Sequence, residues 1–391
     1  MSGADSRVDV AVIGAGVVGT AIAVACARAG RSVRLIDPRP GDGATYAAAG
    51  MLSPAGELQH TERAAVALHR TAAAAYPDFV ASLPGGAAAC GYEAAPTLLV
   101  GVDDADRRRI VELVDAAPAV QAERRSVREA RAAEPLLGPG LSCAYAADGD
   151  HRVDPRALVR ALRGALAPSA LRPLAARRLL RGRGGAVHGV ELSDGTAIAA
   201  AEVVVANALG AADLGATPPG VLRPVHGDIL RLHAAGLPRL AHTVRSLVRG
   251  RAVYLVPRVD GGLVVGATER EDADDAVSAG GVSALLRDAA EVMPLVDEYR
   301  FVEATARARP ATPDHLPLVG RTAPGLVVAT GTHRNGVLLA PLIADLCRRI
   351  VDDVAPPRGV EADLLDPGRF APTRLQPGRD AAPCDREGVL A

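Results

Sequence analysis

Three glycines and one carboxylate have the types and spacing to hold a dinucleotide. They are Gly14, Gly16 and Gly19, within Gly14-Ala15-Gly16-Val17-Val18-Gly19, and Asp37. Gly14 allows a tight turn out of a strand, and Gly16 removes a side chain so that backbone can approach a pyrophosphate. Gly19 lets the following helix pack closely on the strand. At that helix's N-terminus, amide groups and the helix dipole favour negative charge. Asp37 lies 18 residues beyond Gly19, near the usual spacing of about 20, and is expected to accept hydrogen bonds from an adenosine ribose. An acid at this point disfavours a 2′-phosphate and hence NADP. NAD and FAD are not separated by this stretch, and a purely structural glycine-rich turn is the competing reading.

The elements around these residues must form a βαβ unit. Val10, Val12 and Ile13 read as a buried strand, Ala21 to Ala29 as an Ala-rich helix stopped by Gly30, and Val33 to Ile36 as a second strand. At 391 residues, the chain has room for a second domain. Its net charge of −1 makes nucleic acid a poor partner. With aromatics at only 2%, an aromatic substrate cage is hard to build. Five cysteines (26, 90, 143, 347 and 384) show no C-x-x-C and no metal-ligand spacing, so free thiols in a reducing compartment are expected and no metal. No secretory pattern opens the chain, and no run reaches about 18 uninterrupted apolar residues; a cytoplasmic protein with no membrane association is expected.

Further along, Tyr46-Ala-Ala-Ala-Gly-Met-Leu-Ser53 offers small residues that can lie against a flat ligand or pack as a tight helix. Leu58 to Ser82 carries helical periodicity, with His60 and His69 read as solvated or core residues. Pro84 to Gly91 reads as a turn, Thr97 to Val102 as a strand, and Asp103–Ala116 and Ser126–Ala133 as helices. Asp154 and Pro155 open another helix as cap and first residue. Strand-like runs follow at Leu171–Leu180, Ala186–Leu192 and Ala197–Ala206, with Asp194-Gly195 as a hairpin turn. Beyond Pro219, short strands at Ile229–Leu232, Val253–Pro257, Leu263–Gly266 and Tyr299–Arg309 suit an antiparallel sheet, with a helix at Ser283–Met293. A strand at Leu326–Thr330, the loop Gly331-Thr-His-Arg-Asn-Gly336 and the helix Val337–Val351 then form a second strand–loop–helix unit. Two such distant units argue for a discontinuous FAD domain, since a single-block NAD domain needs only one. The expected fold is α/β: a Rossmann-like FAD-binding domain from 1–83, 151–220 and 310–366, and an α+β substrate domain from 84–150 and 221–309. The tail 367–391 reads as disordered.

Four motifs together resemble the D-amino-acid oxidase superfamily of flavoproteins, and within it the glycine oxidases of the thiazole branch. They are Gly14–Gly19 with Asp37; Ala47-Ala-Ala-Gly-Met-Leu52; Tyr254-Leu-Val-Pro-Arg258 with Gly262-Leu-Val-Val-Gly-Ala-Thr268; and Arg309-Pro310 with Pro313–Gly320, then Arg334–Pro341. The resemblance covers nearly the whole chain to about residue 365. It implies that Arg309 pairs bidentately with a substrate carboxylate, that Tyr254 donates its hydroxyl to the same group, and that Arg334 lies at the inner pocket wall. It further implies that Ala47, Gly50 and Met51 line the isoalloxazine. Gly331, Asn335, Gly336, Val337 and Leu338 would present backbone N–H groups to the flavin pyrimidine, beside Arg334.

The implied activity is oxidation of glycine or a similar small amino acid, with molecular oxygen as acceptor and peroxide as product, feeding thiazole and thiamine synthesis. Relatives are often homotetramers, so a tetramer or dimer is expected. Relatives with covalent flavin carry a Cys shortly after Arg-Pro; Ala311 and Thr312 stand here, so the FAD is expected to be non-covalent. Departures fall at Ala252, His226, Asp228, Thr332 and His333, and bear on substrate identity. A D-amino acid, sarcosine or an N-substituted glycine is the alternative substrate, electrons passing to oxygen or to another acceptor. A flavin-binding scaffold without turnover is a third reading.

Overall fold

A computed structural model describes residues 7–54, 63–116, 122–272 and 274–354. The chain divides into two compact units, one of Met1–Gly43, Leu162–Pro224 and Arg309–Ala391, the other of Ala44–Ala161 and Val225–Ala308. Residues 84–150 cluster with the second unit. So do 44–83 and 151–161, which were expected with the nucleotide-binding segments. The tail 367–391 lies outside the described residues.

In the first unit the strand Val8–Ile13 lies between two parallel neighbours, Val33–Ile36 and Ala197–Val205. The sheet runs in the order 318–323, 326–330, 197–205, 8–13, 33–36, 171–172. Its central strands are continuous apolar runs, as expected where both faces are covered; Val12, Val204 and Val327 are fully buried. The helices Val17–Arg28 and Gly336–Val351 pack on each other. The expected run Leu171–Leu180 is two strands, Leu171–Arg172 and Ala176–Arg181, with Pro173 between them; proline has no N–H to give a ladder. Asp194-Gly195 does turn a hairpin. Gly195 takes φ +84°, and Thr196 donates twice to Asp194 Oδ1.

An eight-stranded sheet organises the second unit, in the order 300–311, 223–233, 262–266, 251–257, 243–248, 97–101, 143–147, 122–125. Antiparallel pairs join 223–233 to 262–266, 262–266 to 251–257, 251–257 to 243–248, and both 97–101 and 122–125 to 143–147, while Thr243–Val248 runs parallel to Thr97–Gly101. Thr243–Val248 was not anticipated. Ser246 occupies an inward position between Val244 and Val248, which hides the apolar alternation, and its hydroxyl is satisfied by the Val253 carbonyl. The helix Ala279–Val292 covers this sheet through Leu285, Ala289 and Val292.

Pro84–Gly91, expected as a turn, contains the short helix Gly86–Cys90. Gly85 and Gly91 flank it with φ +76° and +59°, so these glycines are helix ends around an alanine run. The long helical run expected from Leu58 is two helices, Arg63–Ala74 and Tyr76–Ala81, the second opened by Pro77. His69 is buried; His60 lies outside the described residues. Asp154 caps Pro155–Gly164 as expected, its Oδ1 accepting from the amides of Arg156 and Ala157.

Candidate active site

Backbone crowding explains the glycines of the first loop. Gly14 takes φ +104°, and a Cβ there would lie 2.5 Å from the Ala206 carbonyl oxygen. A Cβ on Gly19 would lie 1.9 Å from the carbonyl oxygen of Gly14. Gly16 caps the helix Val17–Arg28 with no side-chain hydrogen bond, and no acid occupies its first turn. That end of the helix fits a pyrophosphate: amide donors, an unopposed dipole and excluded side chains.

Asp37 does more locally than its spacing suggested. Its Oδ2 accepts from the Ala15 amide at 2.7 Å and its Oδ1 from the Arg39 amide at 2.8 Å. The carboxylate therefore clasps the glycine loop from the end of the second strand. Nothing in the local sequence distinguishes this contact from the expected ribose contact, because both require an acid at the same place.

The second loop folds against the same end of the sheet. Gly331 takes φ +70°, and a Cβ there would meet Thr312 at 2.6 Å. The His333 amide donates to the Pro310 carbonyl at 3.0 Å, and the Asn335 amide to Thr332 at 2.9 Å. A Cβ on Gly336 would lie 2.8 Å from Thr332 Oγ1 and 4.0 Å from Val18 Cγ2. The loops 14–19, 309–317 and 331–336 thus come together within the first unit. They carry Asp37, Arg309 and Arg334 with them; both arginines are half-buried. The helix Gly336–Val351 also begins without a side-chain cap or an acid in its first turn. His315 and His333 adopt φ +57° and +47°, a left-handed conformation that costs non-glycine residues on the order of 1 kcal/mol. Their rings lie 4.3 Å apart, and Arg223 Nη2 lies 3.0 Å from His315 Nε2.

Within the second unit, Tyr254 sits opposite Gly266 on the neighbouring strand. A Cβ on Gly266 would fall 2.4 Å from the Tyr254 hydroxyl oxygen. The phenol therefore lies across the space a side chain would fill. Tyr254 and Met51 pack in one apolar cluster with Ala49, Ile229, Val256 and Val264. Gly50 takes φ +75°, where a Cβ would meet the Val153 carbonyl oxygen at 2.0 Å. Ala47 ends the single-turn helix Ala44–Ala47. Among the departures, Ala252 is exposed on the Tyr254 strand, while Asp228 is fully buried. Asp228 Oδ2 accepts from Thr268 Oγ1 at 2.8 Å, and its Oδ1 from Arg270 and the Ser278 amide, so it anchors the segment 268–278. His226 pairs by backbone with Arg270.

A group that sequence reasoning missed surrounds Tyr46. Arg156 donates to Glu303 at 2.6 Å and stacks its guanidinium 3.5 Å from the centre of the Tyr46 ring. The Tyr46 hydroxyl reaches Glu303 at 3.3 Å. Burial alone would raise the Glu303 carboxyl; hydrogen bonds from Arg156 and Thr305 and the charges of Arg156 and Arg231 outweigh it and bring it down to about 2. A carboxyl lowered on folding stabilises the native state above its unfolded value, and that contribution fades as pH falls from about 4.5 toward 2. Solvent screening of this part-exposed pair discounts the shift, leaving roughly 1–2 kcal/mol. Wild type is therefore expected to exceed Glu303→Gln in denaturant stability at pH 6 and to have lost most of that margin by pH 2.5. An equal gap at both pH values would refute this account.

Comparison with known proteins agrees with this geometry. The model of the family described as FAD dependent oxidoreductase matches residues 9–349. The bifunctional protein ThiO/ThiG of Nostoc sp. is 30% identical over 360 residues, covering 88% of this chain and 52% of that protein. The chain thus spans about half the length of the bifunctional relatives it matches. Glycine oxidase of Geobacillus kaustophilus is 32% identical over 364 residues, covering 88% of this chain and 93% of that one. The crystal structure of glycine oxidase from Geobacillus kaustophilus superposes with a TM-score of 0.81 at 28% identity, covering 92% of this chain and 98% of that one. With two glycine-loop helices on one mixed sheet with a parallel centre and this match along most of its length, the chain belongs to the FAD-dependent oxidoreductase family.

Proposed function

We propose that the protein oxidises glycine, or a small amino acid like it, with non-covalent FAD as cofactor. The observation that carries this reading is the 32% identity to a glycine oxidase along 93% of that enzyme's length. The sequence carries the residues that the resemblance assigns to the site, Tyr254, Arg309 and Arg334. The net reaction takes glycine, oxygen and water to glyoxylate, ammonium and hydrogen peroxide. In the ThiO role, the intermediate imine or its product feeds thiazole synthesis, in the cytoplasm.

FAD, when bound, supplies a two-electron acceptor. The chain's residues bind and orient. The guanidinium fork of Arg309 takes the substrate carboxylate in two parallel hydrogen bonds, and Tyr254 donates its hydroxyl to the same group. Arg334 closes the inner wall. Amides at Gly331 and Asn335 through Leu338 would be the donors for the pyrimidine, and the uncapped helix that starts there favours negative charge. By the resemblance, Ala47, Gly50 and Met51 would line the ring; the Gly14–Gly19 amides would take the pyrophosphate, and Asp37 retains acceptor capacity for the ribose. Orientation of this kind can supply up to about 7–11 kcal/mol of a barrier.

His333 and Ala252 favour one second reading, the same chemistry on a D-amino acid, sarcosine or an N-substituted glycine. The deciding experiment is anaerobic titration with glycine, sarcosine and D-alanine, following the oxidised flavin band near ~450 nm. Bleaching by glycine is the expected result. Bleaching by another amine alone would move the substrate and keep the chemistry. A protein that cannot be loaded with FAD would end the proposal.

A further inference from the structure

Three guanidinium groups converge on one short stretch of backbone in the second unit. Arg156 Nε donates to the Tyr46 carbonyl at 2.9 Å. Arg231 Nη2 donates to the same carbonyl at 3.0 Å and to Ala48 at 3.4 Å. Arg258 Nη2 donates to Ala49 at 2.5 Å. Arg258 is only 8% exposed; burial first, then the nearby Arg231 and Arg152, bring it down to about 10, so it still carries its charge at neutral pH. Burial likewise lowers Arg231.

These carbonyls have a structural need. Ala44–Ala47 is a single helical turn, and the last carbonyls of a helix have no partner inside it. Regular pairing resumes only at Met51, opposite Arg152. The Gly50 carbonyl accepts from the Val153 amide at 2.9 Å with Gly50 in the left-handed region, so the carbonyls just before it, at Tyr46, Ala48 and Ala49, are the ones that take side-chain donors. Placing cations there is costly, because burying a charge loses its hydration. Neutral donors could satisfy three carbonyls at less cost. A guanidinium adds a rigid, planar set of donors that fixes where each carbonyl lies. Glu303 balances part of the charge from one side, through Arg156 and the more distant Arg231 Nε at 3.9 Å.

We propose that Arg156, Arg231 and Arg258 are positioning residues for the cofactor. Their guanidinium groups hold the carbonyls of Tyr46, Ala48 and Ala49, and so set Ala47, Gly50 and Met51 against the flavin ring. This rests on the reading above that those three residues line the ring, and it goes beyond it by naming what holds them. None of the arginines needs to touch substrate, so their removal acts through the segment they hold.

The test compares full-length wild type with Arg231→Met, Arg258→Met and Arg231→Lys. FAD dissociation constants come from fluorescence titration, hydrogen exchange of peptides covering residues 44–52 from the apo proteins, and folding from circular dichroism. Both Met variants are expected to weaken FAD binding tenfold or more and to speed exchange in 44–52, while their circular dichroism stays native. Arg231→Lys keeps the charge without the fork and should recover only part of the affinity. Should Arg258→Met fail to fold, Arg231→Met decides. Folded Met variants with FAD affinity within twofold of wild type and unchanged exchange would overturn the proposal. A wild type that binds FAD but ignores glycine would sink only the substrate reading, and the arginine effect on FAD affinity would still be expected.

Discussion

Replacing Arg309 with alanine is expected to lower kcat/KM for glycine about 10²–10³-fold, mostly through KM, while FAD stays bound. The argument is one of charge. Glycine offers little beyond a carboxylate, an amine and one methylene, so its carboxylate must supply most of the binding. Truncating one partner of a desolvated, hydrogen-bonded charge pair costs roughly 2–5 kcal/mol, and about 1.4 kcal/mol is tenfold. Arg309 lies at the end of the strand Arg300–Ala311, and the next residue's carbonyl anchors the His333 amide. Alanine leaves that backbone contact intact, so the second loop should keep its shape. Steady-state kinetics with the absorbance of the purified protein separate the effects. Unchanged activity on glycine would remove Arg309 from the carboxylate role. Loss of flavin together with activity would mark it as part of the cofactor cradle instead.

Gly19→Ala is expected to yield a protein that purifies without flavin and melts well below wild type, by about 3 kcal/mol or more. The added Cβ would sit 1.9 Å from the carbonyl oxygen of Gly14 and 3.0 Å from its carbonyl carbon. Backbone, unlike a flexible side-chain end, cannot swing aside, and overpacking in rigid surroundings commonly costs 1–3 kcal/mol or more. Relief requires the turn at Gly14 to move, yet that turn is fixed by its amide on the Ile36 carbonyl and by the Asp37 clasp on Ala15. The distortion therefore falls on the amides that would receive a pyrophosphate. Gly43→Ala is the control, since nothing lies within 4 Å of its Cβ position. The ratio of absorbance near ~450 nm to that of the protein, with a thermal melt, reads both effects. A yellow Gly19→Ala protein with a wild-type melt would show that the crowding is absorbed elsewhere.

Much of the nucleotide-binding architecture was legible in the chain itself. The strand, glycine turn, helix, strand and acid between residues 8 and 37 are each specified by short-range chemistry: apolar runs, glycine freedom and a carboxylate at a fixed distance. The second loop–helix at 331–351 follows from the same signals, and the helix begins within one residue of its expected start. The hairpin at Asp194-Gly195 and the cap at Asp154 likewise depend only on near neighbours. Errors came where local signals compete. An alanine run between two glycines looks like a turn until its helical dihedrals are seen, and a strand with an inward serine loses its alternation.

What only the tertiary structure decided is how side chains meet distant backbone. Asp37 reaches the Ala15 amide, Tyr254 lies across Gly266, and Asp228, whose role could not be read from its position, anchors 268–278 from a fully buried site. The arginines on the carbonyls of 46–49 are 110 to 209 residues from them in sequence. Such contacts leave no periodicity and need no neighbouring motif. An arginine that satisfies a buried carbonyl looks, in sequence, like any surface arginine. The chain's own pattern determined which strands and loops exist and where a dinucleotide can bind. Folding determined which charges are buried, because only packing decides where water is excluded and a backbone carbonyl must find another donor.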